Sequence, residues 1–156
     1  PILFNILADS LIKKFQSYYC KLRNNEKWVL NKKLLKKLSE IYYLAILTGR
    51  PKNEAYYVLQ KNKVTRYFKI IVSMEDVSRQ KPDPDGLLKI LNQFSNSKAC
   101  YFGDSIDDIK AANSAKINAV GVLPPQDKSA KLRNLFAKNG AGIVIGNINK
   151  IMGALK

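Results

Sequence analysis

The chain has 156 residues, 46% hydrophobic and 25% charged, with 27 Lys and Arg against 12 Asp and Glu and a formal net charge of +15. That size and apolar fraction suit one folded domain with a core, and exclude a disordered chain, a disulfide-stapled miniprotein and, absent a run of about 18 apolar residues, a spanning helix. There is no histidine, so a His-based triad, general base or metal ligand is excluded, and carboxylates, Lys, Ser, Thr and Tyr remain to carry chemistry.

Taken in chain order, Ile2, Leu3, Ile6, Leu7, Leu11, Phe15, Tyr18, Tyr19 and Leu22 recur at helical spacing and predict a stripe over residues 2–23 that packs as core or interdomain surface. Residues 23–27 read as a turn, and 31–39 as a short helix with Leu34, Leu35 and Leu38 inward. From there strands and helices alternate. Residues 42–47 form a β-rich run that stops at Thr48-Gly49-Arg50-Pro51, and Pro51 suits the first turn of a helix through Leu59. Residues 68–72 predict a second strand, 81–84 a proline-stiffened loop and 85–94 a helix. Residues 99–102 predict a third strand closed by Gly103-Asp104, with a helix after it to Ala115. A strand over 119–122, a helix over 128–138, a strand over 142–145 and a C-terminal helix complete the series. Alternation of this kind predicts an α/β fold with a parallel sheet covered on both faces, whose ligands bind outside the carboxyl ends of the strands.

The positive charge invites a nucleic-acid reading, which the composition disfavours. Of the 27 cations 22 are Lys and five are Arg, alongside 14 Asn and 15 Ile, a joint bias that AT-rich coding produces without selection for binding. Arg, the residue suited to forked phosphate and base contacts, is scarce. A positive field equally serves a small phosphorylated partner. Two cysteines, Cys20 and Cys100, fit a reducing compartment and a cytoplasmic location, with no membrane partner. Gly140–Gly146 imitates a dinucleotide fingerprint but has no βαβ unit beyond it.

Three polar clusters fall at expected strand ends. Thr48 and Gly49 offer a hydroxyl and backbone N–H groups at a helix start, a natural anion site. Lys81 precedes Pro82-Asp83-Pro84, which stiffens the loop that carries its ammonium. Asp104 and Asp108 sit four residues apart at a first helical turn, spaced to converge on a hard cation such as Mg²⁺. Each cluster alone also has a bland reading: capping, solvated surface and helix-start electrostatics.

Together and in this order, residues 44–50 (LAILTGR), 81–84 (KPDP) and 101–112 (YFGDSIDDIKAA) resemble the second, third and fourth motifs of the haloacid dehalogenase superfamily, most of all its phosphoglycolate phosphatase-like branch with a helical cap. The resemblance covers roughly residues 28–156 and implies a Rossmann-like core and a Mg²⁺-dependent phosphatase acting on a small phosphomonoester through an aspartyl-phosphate. By position, Thr48 and the N–H of Gly49 hold the phosphoryl group, Lys81 neutralises its charge, Asp104 ligates Mg²⁺ and Asp108 holds the metal or its waters; Asp107 takes no role beyond helix-start electrostatics. The family's nucleophile and acid/base are two aspartates in a D-x-D pattern after an N-terminal strand. Upstream of Thr48 the sole aspartate is Asp9, without a partner two residues on, and Asp83-Pro84-Asp85-Gly86 belongs to the lysine loop. The chain begins with Pro rather than Met. The expectation is therefore residues 1–27 as the remnant of a helical cap, 28–156 as a core lacking its first strand, and a chain that is inactive alone. A non-catalytic binding protein on the same fold, a phosphomutase and a basic nucleic-acid module stay open as alternatives.

Overall fold

The computed structural model describes residue 11 and residues 14–94 and 98–155. Residues 14–22 are helical (α1) and end in a single 3-10 turn at Arg23–Asn25. The remaining elements are α2 (Lys32–Ile41), β1 (Ala45–Leu47), α3 (Lys52–Lys61), β2 (Ile70–Val72), α4 (Asp85–Leu91), β3 (Cys100–Gly103), α5 (Ile106–Ser114), β4 (Asn118–Val122), α6 (Ala130–Lys138), β5 (Ile143–Ile145) and α7 (Ile151–Ala154). Single 3-10 turns at Thr65–Tyr67, Met74–Asp76 and Ile148–Lys150 were not legible as separate elements.

Every strand pair is parallel, as the alternation of strands and helices predicts. Among the described residues the strands form two sheets, β1-β2 and β3-β4-β5. β4 shows how one strand serves two layers. Ala119 joins Leu87, Ile109, Ala112 and Phe136 on one face, while Val120 and Val122 join Ile145, Phe102 and Ala154 on the other. Gly121 points to the first face, where an added Cβ would lie 2.6 Å from the Phe136 ring, so α6 lies directly on the strand. The β1-β2 sheet has its own cluster, with Leu35, Leu59 and Val64 buried against Leu44, Ile46 and Ile71. α4 closes the other side, its Gly86 pressed against Leu47.

Helix starts follow local chemistry. The Asn31 side chain accepts from the backbone N–H groups of Lys33 and Leu34, and Ser129 accepts from Leu132 N–H at 3.1 Å. Strands are shorter than their apolar runs. Tyr42, expected in a strand, donates its N–H to Leu38 O at 2.8 Å and ends α2 instead. One side-chain clasp spans the chain: Asn149 Oδ1 accepts from Asn31 N–H at 2.7 Å and Asn149 Nδ2 donates to Val29 O at 3.1 Å. Of the N-terminal stripe, Leu11, Phe15, Tyr18 and Leu22 are 67%, 66%, 56% and 61% exposed, so among the described residues this apolar face is not covered. Its residues 2–10 lie outside the described residues. No helix among the described residues is long and apolar enough to cross a membrane.

Candidate active site

The carboxyl ends of β1 and β3 open into one cavity of about 430 Å³, lined by Thr48, Arg50, Lys81, Tyr101, Gly103, Asp104 and Asp108. Residues up to 60 positions apart thus meet because parallel strands end on the same side. Gly49 is exposed beside Thr48 and does not line the cavity.

The Thr48–Arg50 turn is fixed from both sides. Thr48 N–H donates to Val72 O at 2.9 Å, extending the β1-β2 ladder by one bond. Its Oγ1 accepts from Arg50 N–H at 3.2 Å, which leaves the hydroxyl proton free to donate to an anion. The Arg50 guanidinium turns away to Glu26, at 2.9 Å from Oε1, and donates to the Tyr19 hydroxyl at 2.9 Å, so α1 and the segment after it are tied to this turn.

Lys81 reaches the cavity from the loop before α4, where the Lys81–Pro82 peptide is cis. Its Nζ donates to Asp108 Oδ1 at 2.6 Å, an ion pair between two cavity-lining side chains, and lies 3.5 Å from the Tyr101 hydroxyl. Tyr101 in turn donates to the same oxygen at 3.0 Å. The other oxygen, Oδ2, accepts from Asp104 N–H at 3.1 Å, Ser105 N–H at 3.0 Å and Ser105 Oγ at 2.7 Å. Asp108 N–H returns a bond to Ser105 Oγ at 3.1 Å, which completes a capping box at the start of α5. Burial pushes the Asp108 carboxyl up, but the bonds from Lys81, Ser105 and Tyr101 outweigh it and hold the group below the ordinary carboxylate range. For Tyr101, burial and then the neighbouring Asp108 charge raise the phenol well above its usual value, so it acts as a donor and stays protonated.

Gly103 is required by this packing. A Cβ there would sit 2.1 Å from Asp108 Cβ, which is why the strand ends in a residue without a side chain.

The four-residue spacing of Asp104 and Asp108 therefore resolves into two different situations. Asp108 is 3% exposed with both oxygens engaged by five donors. Asp104 is exposed, and its backbone N–H is held while its carboxylate has no hydrogen-bond partner among the described residues. No cluster of three or more metal-ligating side chains occurs among the described residues. A hard cation drawing on one free carboxylate, waters and phosphate oxygens fits Asp104; direct ligation by Asp108 would have to displace its donors. Sequence reasoning missed Tyr101 and Ser105. The Ser-x-x-Asp spacing of a capping box was the signal for the second, whereas nothing local announces the first.

The profile of the haloacid dehalogenase-like hydrolase family matches residues 4–122, which reaches well upstream of residue 28. A provisionally named pyrophosphatase of Caldanaerobacter subterraneus is 33% identical over 112 residues, 70% of this chain and 49% of that protein. A phosphoglycolate phosphatase of Pseudomonas fluorescens is 30% identical over 111 residues, 70% of this chain and 39% of its own length. The chain thus spans less than half the length of these curated relatives. Among solved structures, a hydrolase of Pseudomonas syringae superposes with a TM-score of 0.77 at 25% identity, over 95% of this chain and 71% of that one. A hydrolase of the same superfamily from Bacillus subtilis, described as bound to magnesium, gives 0.64 at 20% identity over 79% of this chain and 52% of its own. The chain belongs to the haloacid dehalogenase-like hydrolases, in the branch that contains the phosphoglycolate phosphatases.

Proposed function

We propose that this chain forms the phosphate- and metal-holding part of a Mg²⁺-dependent phosphomonoesterase. The observation that carries the reading is the single cavity in which the Thr48 hydroxyl, the Lys81 ammonium and the free Asp104 carboxylate meet at the strand ends. The Thr48 hydroxyl binds and orients the phosphoryl oxygens at the cavity wall. Lys81, steered by Asp108, offsets their negative charge. Mg²⁺, when bound through Asp104, supplies the remaining charge compensation, as the magnesium-bound relative from Bacillus subtilis supports. These parts act by positioning and electrostatics, which phosphoryl transfer chiefly requires. Asp108 serves as a positioning residue rather than a ligand. Residues 28–156 are the catalytic-type core on this reading, and a small phosphorylated compound is the substrate.

The chemistry of bond making belongs to the family's D-x-D pair, through an aspartyl-phosphate. No such pair precedes Thr48 in this sequence, so the chain by itself binds phosphate and does not turn it over. The test has two arms. Titration of ¹⁵N-labelled protein with orthophosphate and with MgCl₂ should give saturable shifts at Gly49, Lys81 and Asp104 at concentrations of about 1–10 mM. Lys81→Met should weaken the phosphate response and Asp104→Asn the Mg²⁺ response. Absence of any saturable shift defeats the binding site. In the second arm, Mg²⁺-dependent hydrolysis of p-nitrophenyl phosphate by the pure chain, abolished by Asp104→Asn, defeats the claim that it is silent. The missing pair favours one further reading, a binding protein that keeps the ligand-holding residues; it predicts the same binding and no activity in the longest natural form of the protein.

A further inference from the structure

The Tyr101 side chain lies on the same face of β3 as Gly103, two residues on, and so faces α5, where Asp108 closes against that glycine. Its hydroxyl stands between an anion and a cation. It donates its one proton to Asp108 Oδ1 at 3.0 Å, and toward Lys81 Nζ at 3.5 Å it presents a lone pair. Lys81 Nζ donates to the same Oδ1 at 2.6 Å. The other Asp108 oxygen is taken by Asp104 N–H, Ser105 N–H and Ser105 Oγ, so the carboxylate has no second oxygen to offer Lys81. An ammonium held by one acceptor rotates about its C–N bond. A second oxygen beside it, even at the outer limit of a hydrogen bond, opposes that rotation and gives the third N–H a preferred direction. Among the described residues that third N–H has no acceptor, and Lys81 lines the cavity with Thr48 and Asp104.

We propose that Tyr101 is a positioning residue of the phosphate site: its hydroxyl, bonded to Asp108 and turned to Lys81, fixes the ammonium with one N–H left for a phosphoryl oxygen. The inference rests on the phosphate-binding reading of the cavity. It adds that the orientation of Lys81, and not its charge alone, is supplied by the fold. Donors already in place stabilise a charge more than donors that must reorganise around it. The shared acceptor acts in the same sense, because a neutral donor on Oδ1 leaves less of that oxygen to neutralise Lys81. A phenylalanine at this position fills the same space but neither donates to Asp108 nor faces Lys81 with an oxygen. Lys81 then takes Oδ1 alone, and its ammonium turns freely. A purely structural hydroxyl would instead cost stability when removed and leave the phosphate response of the folded chain unchanged.

The test is solution NMR on the whole chain, in two measurements. The first needs no variant: ¹³C relaxation at the Lys81 ε-CH₂ group without phosphate. An order parameter above about 0.6 is expected, and a lower value, with the side chain mobile until orthophosphate is added, overturns the proposal. The second compares titrations of the native chain and Tyr101→Phe with orthophosphate and, separately, with MgCl₂. Both are followed by ¹⁵N shifts of the folded species, so a loss of stability does not enter. Tyr101→Phe should weaken phosphate binding about tenfold and loosen the Lys81 ε-CH₂ group, while the Mg²⁺ response at Asp104 stays within about twofold. An equal fall in both responses means a general disturbance of the site and overturns the proposal. Absence of any phosphate response in the native chain defeats the phosphate-binding reading and this inference with it. A native response that Tyr101→Phe leaves within about twofold defeats this inference alone.

Discussion

The Asp108 carboxylate is the group on which the site depends most, and Asp108→Asn tests that directly. An amide has the same shape but one oxygen and one NH₂. If its oxygen keeps the Asp104 and Ser105 donors, its NH₂ faces the Lys81 ammonium and the Tyr101 hydroxyl, and two bonds of 2.6 and 3.0 Å are lost. Both are charge-assisted, because the acceptor is an ionised carboxylate, and each is worth about 1.5–3 kcal/mol. The three bonds that remain change from an ionised acceptor to a neutral one. Lys81, only 21% exposed, also loses its counter-charge. The expected cost is about 3–4 kcal/mol, toward the lower end of the range for breaking a buried pair. Guanidinium unfolding followed by Trp28 fluorescence and circular dichroism reads this as a fall in midpoint at unchanged slope. Asp104→Asn is the matched control, one turn away and exposed, and should stay within about 0.5 kcal/mol of the native chain. Equal effects for the two variants, or a loss below about 1 kcal/mol for Asp108→Asn, refute the reasoning.

Gly103→Ala forces a Cβ to within 2.1 Å of Asp108 Cβ and should cost about 2–3 kcal/mol in thermal unfolding, while Gly146→Ala, with open space around it, should be near neutral. Asp76 accepts hydrogen bonds from the Ser73 hydroxyl and N–H, helped by Lys52, which lower its pKa from 3.8 to about 2. The sign follows: its contribution is present above the unfolded value and is lost as pH falls toward 2, so a carboxyl titration by NMR should show a midpoint near 2 that Ser73→Ala raises. Arg50→Ala removes the partly exposed link to Glu26 and Tyr19; global stability should change by under about 1 kcal/mol, yet trypsin should cleave at Arg23 and Lys27 faster than in the native chain.

Much of the fold was readable because alternation of short apolar runs with helical stripes has few solutions. β4 is the clearest case: Ala119, Val120 and Val122 are apolar on both sides, as a central parallel strand must be. Run lengths misled at Tyr42 and Tyr43, since aromatic β-formers next to a strand can instead terminate a helix, and which occurs depends on the Leu38 carbonyl. The candidate site was legible to the level of its loops. Thr48, Lys81 and Asp104 stand where the strand-end rule puts them. The division of labour between Asp104 and Asp108 was not visible, because it turns on Lys81 and Tyr101, 27 and seven residues away, which only tertiary packing brings to one oxygen. The exposed stripe on α1 shows the reverse limit: periodicity reveals an apolar face and says nothing of what covers it.

The Asn149 clasp has a consequence for the order in which the molecule can assemble. It closes a loop of 118 residues between the entry of α2 and the turn before α7 through two side-chain hydrogen bonds. Loop-closure entropy makes such a contact unfavourable until the intervening sheets are in place. The first turn of α2 therefore gains its C-terminal anchor last, and a change at Asn149 is felt at the opposite end of the sequence, in how firmly the β1-β2 layer is held to the rest.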